Sequence, residues 1–218
     1  EKFLFNNLNH YNYINSLLKN KKIKAYVNCN RRISQDYIKI KNNYGKKINH
    51  IIVEGNKWNF MSNSIHFIDL FMFLTNAKKI KIESVSFKKK IKSSRKNYNE
   101  IHGEISFSYK KKKLTVIDSP ILKKNKITMI TKNMIIEIFE NEKLIVFSDS
   151  NNLKINKIIM KDNLFVSNTT NKILNNLFKY KDSRLVDFSS SVVQHKTFIK
   201  ALNKMFKDTI LHNNYLIT

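Results

Sequence analysis

Glycine and proline are almost missing from this 218-residue chain, with three of the first and one of the second. Gly45, Gly55 and Gly103 stand far apart. Neither a dinucleotide-binding glycine turn nor a phosphate-cradling P-loop can be built from them. Cys29 is the sole cysteine, so no intrachain disulfide can form, which fits a reducing cytoplasm. No cysteine–histidine set has zinc spacing, and no metal site is expected. No apolar run reaches the roughly 18–20 residues of a membrane span. The opening Glu-Lys-Phe carries no apolar signal region. Arginine is scarce as well: Arg31, Arg32, Arg95 and Arg184 are the only four among 41 basic residues.

Lysine, asparagine and isoleucine are plentiful instead. The formal net charge is +25, the usual footprint of a nucleic-acid partner. However, Lys, Asn and Ile have A/T-rich codons, and Gly, Pro, Ala and Arg have G/C-rich ones. An AT-rich genome produces this bias without a selected partner. Phosphate-binding surfaces favour the arginine fork, which is rare here. Nucleic-acid binding is therefore not expected as the main role. At 42% hydrophobic content the chain can bury a sizeable core.

Helical spacing over 7–20 puts Leu8, Tyr11, Ile14, Leu17 and Leu18 on one face, with Asn7 or Asn9 as cap. A strand is expected at 23–29, a short helix at 34–43 capped by Ser34, and a second strand at 48–54. An almost wholly apolar helix follows at about 62–75. Beyond Asn76 the texture changes to period-two runs at 80–88, 103–109, 113–118, 126–131, 134–140, 143–148 and 153–160. Short connections make them a meander of antiparallel hairpins. Residues 88–100 read as a mobile loop, and Lys110–Lys113 as a solvated hairpin tip. Helices return at about 169–180 and 189–207. The fold class is α+β: one domain over 1–218, an open, mostly antiparallel sheet with helices on one face.

His10, His50, His102, His195 and His212 are scattered and suggest no site. His66, near the start of the apolar helix, is different. A helix that is greasy on nearly every face is buried, and an imidazole there is either a satisfied core group or one whose charge a site controls. Asp69, three residues on, shares a helix face and is placed to orient His66 or to bond a neighbouring backbone group.

Two segments carry a resemblance. The chain opens with Glu1-Lys2, then a helix, a strand ending near Asn30-Arg31-Arg32, and a short helix. Then comes Trp58…Ser62-Asn63-Ser64-Ile65-His66-Phe67-Ile68-Asp69-Leu70. This order resembles the glucose–fructose oxidoreductase / inositol dehydrogenase / MocA (Gfo/Idh/MocA) family, over residues 1 to about 75. There a Glu-Lys-Pro motif closes the nucleotide-binding half, and a helix carries Asp-x-x-x-His before a hydrophobic tail ending in Asp-Leu. The C-terminal half is an open sheet for substrate binding and oligomer contacts.

The resemblance implies an NAD- or NADP-dependent oxidoreductase acting on a sugar or nucleotide-sugar hydroxyl, with surface polysaccharide synthesis as a setting. Lys2 looks like the lysine between nicotinamide and substrate, and His66 like the proton-transferring histidine. Arg31 or Arg32 would grip a substrate carboxylate or phosphate, and Trp58, Ser62 and Asn63 would shape the pocket. Phe3 replaces the motif proline, and Ser62 the aspartate four before the histidine. A nucleotide-binding half is absent from this chain, so the isolated polypeptide is expected not to bind NAD or NADP. Since it starts with Glu rather than Met, that half is expected upstream, in another chain, or nowhere if the gene is broken. Homo-oligomerisation through the sheet face is implied. The alternatives are a non-catalytic module of the same fold, or a basic nucleic-acid-binding α+β protein.

Overall fold

The computed structural model describes residues 4–93, 98–162, 164 and 166–207. Helix α1 (Leu8–Asn20) begins at Asn7, whose side chain accepts the Asn9 N–H at 2.8 Å. A two-residue strand β1 (Tyr26–Val27) leads into a 3₁₀ turn, Asn30–Ile33. Helix α2 (Gln35–Tyr44) follows. Ser34 sits at its cap position but makes no side-chain cap bond; the Asp162 carboxylate accepts the Gln35 N–H instead. Strand β2 (His50–Gly55) and helix α3 (Phe60–Thr75) complete the N-terminal part.

Seven strands follow: β3 (Lys81–Lys92), β4 (Asn99–Tyr109), β5 (Lys112–Asp118), β6 (Lys126–Ile130), β7 (Met134–Phe139), β8 (Leu144–Asp149) and β9 (Lys154–Ile159). Helix α4 (Val166–Tyr180), strand β10 (Val186–Asp187) and helix α5 (Phe188–Phe206) close the described chain. The main sheet has eight strands in the order β3-β4-β5-β2-β6-β7-β8-β9. All neighbours are antiparallel except β2 and β5.

The α+β class and the open, mostly antiparallel sheet are as the sequence suggests. Three local features differ. The hairpin meander is split, because β2 inserts between β5 and β6 and pairs with both. The stretch read as a loop at 88–100 is mostly strand: Lys89 pairs with His102 and Lys92 with Asn99. Cross-strand hydrogen bonding there overrides a charged, low-hydropathy sequence; residues 94–97 lie outside the described ones. Lastly, Lys112 does not sit in solvent. Its ammonium donates to the carbonyls of Gly45 (3.0 Å), Lys46 (2.8 Å) and Ile48 (2.7 Å), gathering the turn that follows α2.

One sheet face packs on helices. Ile51, Val53, Leu114, Val116, Ile127, Met129, Ile136 and Ile138 bury themselves there against Ile65, Ile68 and Phe71 of α3 and Phe198 and Leu202 of α5. A second cluster joins Tyr11, Val27, Val186, Val192 and Ile199 around the small β1–β10 sheet. The opposite face of the large sheet is open. It carries a cross-strand ladder in which Lys126 meets Glu54 at 3.3 Å and Glu137 at 2.9 Å. It also carries exposed Ile135, Ile155 and Ile159. No helix among the described residues is long and apolar enough to cross a membrane.

Candidate active site

The apolar run that forms α3 dictates a buried helix, and burial leaves its ends to be satisfied by the protein. Both ends use asparagine in the left-handed region, Asn59 (φ 62°) and Asn76 (φ 54°), where a non-glycine residue best tolerates positive φ. Asn59 gives no side-chain cap. The Glu100 carboxylate reaches from β4 instead, accepting the Met61 N–H at 2.8 Å and the Ser62 N–H at 3.3 Å. Burial raises the Glu100 carboxyl, and those hydrogen bonds oppose the rise. The internal hydroxyls of Ser64 and Thr75 return to carbonyls one turn back.

The start of α3 faces a cleft of about 760 Å³ at the sheet end where β2 and β7 finish and β6 begins. Arg31, Trp58, Asn63 and His66 line it, with Asn30, Phe67, Glu54, Lys126, Glu140 and Lys143. Four of the residues singled out from the sequence therefore meet in one place. Arg32 and Ser62 are not among the lining residues. Ser62 is buried, and its hydroxyl donates to the Asn59 carbonyl at 3.3 Å. Lys2 lies outside the described residues.

Arg31 and Arg32 leave the same 3₁₀ turn in different directions. Arg31 forks onto Glu140, with Nε to Oε1 at 2.8 Å and Nη2 to Oε2 at 2.5 Å. Tyr37 donates its hydroxyl to the same carboxylate, and the guanidinium lies 4.4 Å from the Phe67 ring centroid. Burial alone would lower the Arg31 guanidinium, but Glu140 and Tyr37 outweigh it and raise it. Arg32 instead grips Asp69 with Nε and Nη2 at 2.8–2.9 Å. Asp69 is wholly buried and accepts a third donor, Gln194 Nε2, at 2.8 Å. The carboxylate expected to orient His66 thus belongs to an interior ion pair. Cys29 lies beside that pair. Burial and then Asp69 push its thiol well up, so it is no nucleophile.

The charges of the cleft largely cancel. Arg31 pairs with Glu140, and Lys126 with Glu54 and Glu137. The hydrogen bond that the Lys126 ammonium donates to the Glu137 carboxylate leads the causes that raise it. Asp162 meets Lys172 at 3.6 Å. Against a chain of +25 the cleft is close to neutral, lined by asparagines and aromatic rings, a surface suited to a polyhydroxylated ligand.

No protein-family model and no curated protein matches this chain. Solved structures do. An oxidoreductase from Erwinia carotovora atroseptica shares 10% identity at a TM-score of 0.65, over 89% of this chain and 68% of that one. UDP-N-acetylglucosamine 3-dehydrogenase from Acidithiobacillus ferrooxidans gives 7% and 0.65, over 89% and 65%. A dehydrogenase from Clostridium difficile gives 19% and 0.62, over 87% and 65%. The fold is that of the Gfo/Idh/MocA-type oxidoreductases. At these identities the likeness is one of fold. The chain spans about two thirds of the length of these structures.

A glycine turn of the kind that cradles a pyrophosphate is not found among the described residues. No glycine adopts positive φ. Gly55 is wedged: a Cβ there would come within 2.1 Å of the Asn125 side chain and 2.9 Å of Trp58. Among the described residues no cluster of three His, Cys, Asp or Glu could hold a metal ion.

Glu140, Lys126, Glu100 and Asp118 escaped the sequence reading. Acidic residues number only 16, so carboxylates such as Glu140, the last residue of the strand read at 134–140, were the available signal. Glu100 and Asp118 gave none, since a buried acid inside or beside a strand pattern looks like an exposed one.

Proposed function

We propose that this chain is the substrate-binding part of an NAD(P)-dependent oxidoreductase acting on a sugar or nucleotide-sugar hydroxyl. The observation that carries the reading is the convergence of Arg31, Trp58, Asn63 and His66 on one near-neutral cleft. His66 takes or returns the hydroxyl proton, a task for which an imidazole can serve as general acid or base. Lys2 lowers the pKa of the reacting hydroxyl. Arg31, fixed by Glu140 and Tyr37, borders the substrate; Arg32 holds the scaffold through Asp69. The nicotinamide nucleotide, which supplies hydride exchange, is held by a nucleotide-binding half outside the residues described. Cytoplasmic sugar metabolism, including surface polysaccharide synthesis, is the setting we assign; nucleic acid has no part in it.

In the full-length enzyme, turnover with a sugar or nucleotide-sugar substrate should fall by about 10²–10⁴ in His66→Ala, at an unchanged melting temperature. Unchanged specific activity in a less stable variant would make His66 a core residue. The 218-residue chain alone should show no micromolar NAD or NADP binding by calorimetry.

We also propose that the open sheet face pairs with a second copy. Ile155 and Ile159 are 64% and 77% exposed, and the cross-strand register puts them on one side with Ile135. Sedimentation velocity should give a dimer or larger for the wild type and a smaller species for Ile155→Lys/Ile159→Lys.

A further inference from the structure

Trp58 is held far more firmly than a half-buried loop residue needs to be. The residues on either side, Lys57 (φ 52°) and Asn59 (φ 62°), are both in the left-handed region. Two such residues around one side chain persist only where the surroundings over-determine the backbone. Here they do. The Trp58 N–H donates to Asp118 Oδ2 at 3.2 Å, and its indole Nε1–H to the Ile117 carbonyl at 3.1 Å. Its own carbonyl accepts Asn63 Nδ2 at 2.6 Å. The ring meets Phe60 and Phe67 edge-to-face at 5.7 and 5.1 Å. Asp118 is itself buried and bonded through Oδ1 to Nδ1 of buried His102. Neither residue lines the cleft, and proton transfer by His66 uses neither.

The commitment of the indole N–H has a chemical consequence. With its donor spent on Ile117, Trp58 offers a ligand only its ring. The electron-rich face of an aromatic ring matches the C–H-lined face of a pyranose or cyclitol. We propose that Trp58 is a fixed stacking platform for the ring of a sugar ligand, and that Asp118, held by His102, is the residue that positions it. This rests on the sugar-binding reading of the cleft.

Trp58 is the only tryptophan, so its fluorescence reports on the platform alone. The 218-residue chain is titrated with D-glucose, D-galactose, N-acetyl-D-glucosamine and myo-inositol. The wild type gives a saturable change in Trp58 emission with at least one of them. Asp118→Asn keeps a carbonyl oxygen for the Trp58 N–H and behaves like the wild type. Asp118→Ala shows red-shifted emission with lower anisotropy, and half-saturation rises about tenfold, the scale of one buried hydrogen bond. His102→Phe moves the same readouts in the same direction by less, and carries the test if Asp118→Ala does not fold. Saturable binding that is equal across wild type, Asp118→Ala and His102→Phe overturns the positioning role and leaves the sugar reading standing. No response to any of the four compounds in the wild type overturns both.

Discussion

The 3₁₀ turn at Asn30–Ile33 divides two regions of different chemistry. On its interior side, Arg32, Asp69 and Gln194 form a pair-plus-donor set in which the carboxylate is sealed from water. On its cleft side, Arg31, Glu140 and Tyr37 build the same fork, with side-chain exposures of 13% and 21% for the ion pair. The contacts are alike but the surroundings are not. In the interior pair the Arg32 side chain keeps 20% exposure and only the Asp69 carboxylate, at 0%, is sealed; a carboxylate so placed that loses its guanidinium has no water to turn to. A pair at a cleft wall can exchange partners with water or a ligand. Two adjacent arginines thus divide the work, one locking α3 to the turn and α5, the other presenting a fixed cation to the cleft.

Breaking the interior side should have the largest effect. Asp69→Asn leaves Arg32, whose side chain keeps 20% exposure, facing a neutral amide and should lower the unfolding free energy by about 2–3 kcal/mol, measured by urea denaturation. A loss below 1 kcal/mol would mean that water reaches the site and that the two sides do not differ. Glu140→Gln, on the cleft side, should cost about 1–2 kcal/mol. It should also weaken ligand binding more than Asp69→Asn does among molecules that remain folded. Equal stability losses in the two variants would erase the contrast.

The smallest effect is a pH slope. Burial raises the Glu100 carboxyl above its ordinary 4.5, so the folded chain holds that proton more tightly than the unfolded one. Glu100 then supports folding below pH 4.5, and that contribution is lost as pH rises through the raised value. Glu100→Gln should flatten this part of the curve between pH 4.5 and neutrality; parallel urea midpoints for the two proteins would contradict it.

How much of this was legible follows from the physics of each signal. The apolar run of α3 announced a buried helix because no other placement suits it, and His66 stood out against it. The period-two runs announced strands because each has one face to bury. Partner choice left no such trace. The run at 48–54 reads the same whether it pairs with β5 and β6 or sits at an edge, so its central insertion stayed hidden. Arg31 and Arg32 could not be told apart, since adjacent residues in a tight turn diverge by an angle that composition does not encode. Asp69 looked like a partner for His66 on helical spacing, but a guanidinium supplied by another element won it.

The central position of β2 also bears on how the chain folds. Residues 50–55 must find 113–118 and 126–130 across a long stretch of chain, whereas the hairpins β4–β5, β6–β7 and β7–β8 close locally. Non-local strand pairing forms slowly. Until β2 slots in, β5 and β6 each present a bare edge rich in isoleucine, valine and threonine, open to pairing with another nascent chain. The strand that floors the cleft is thus also the gate between productive folding and aggregation.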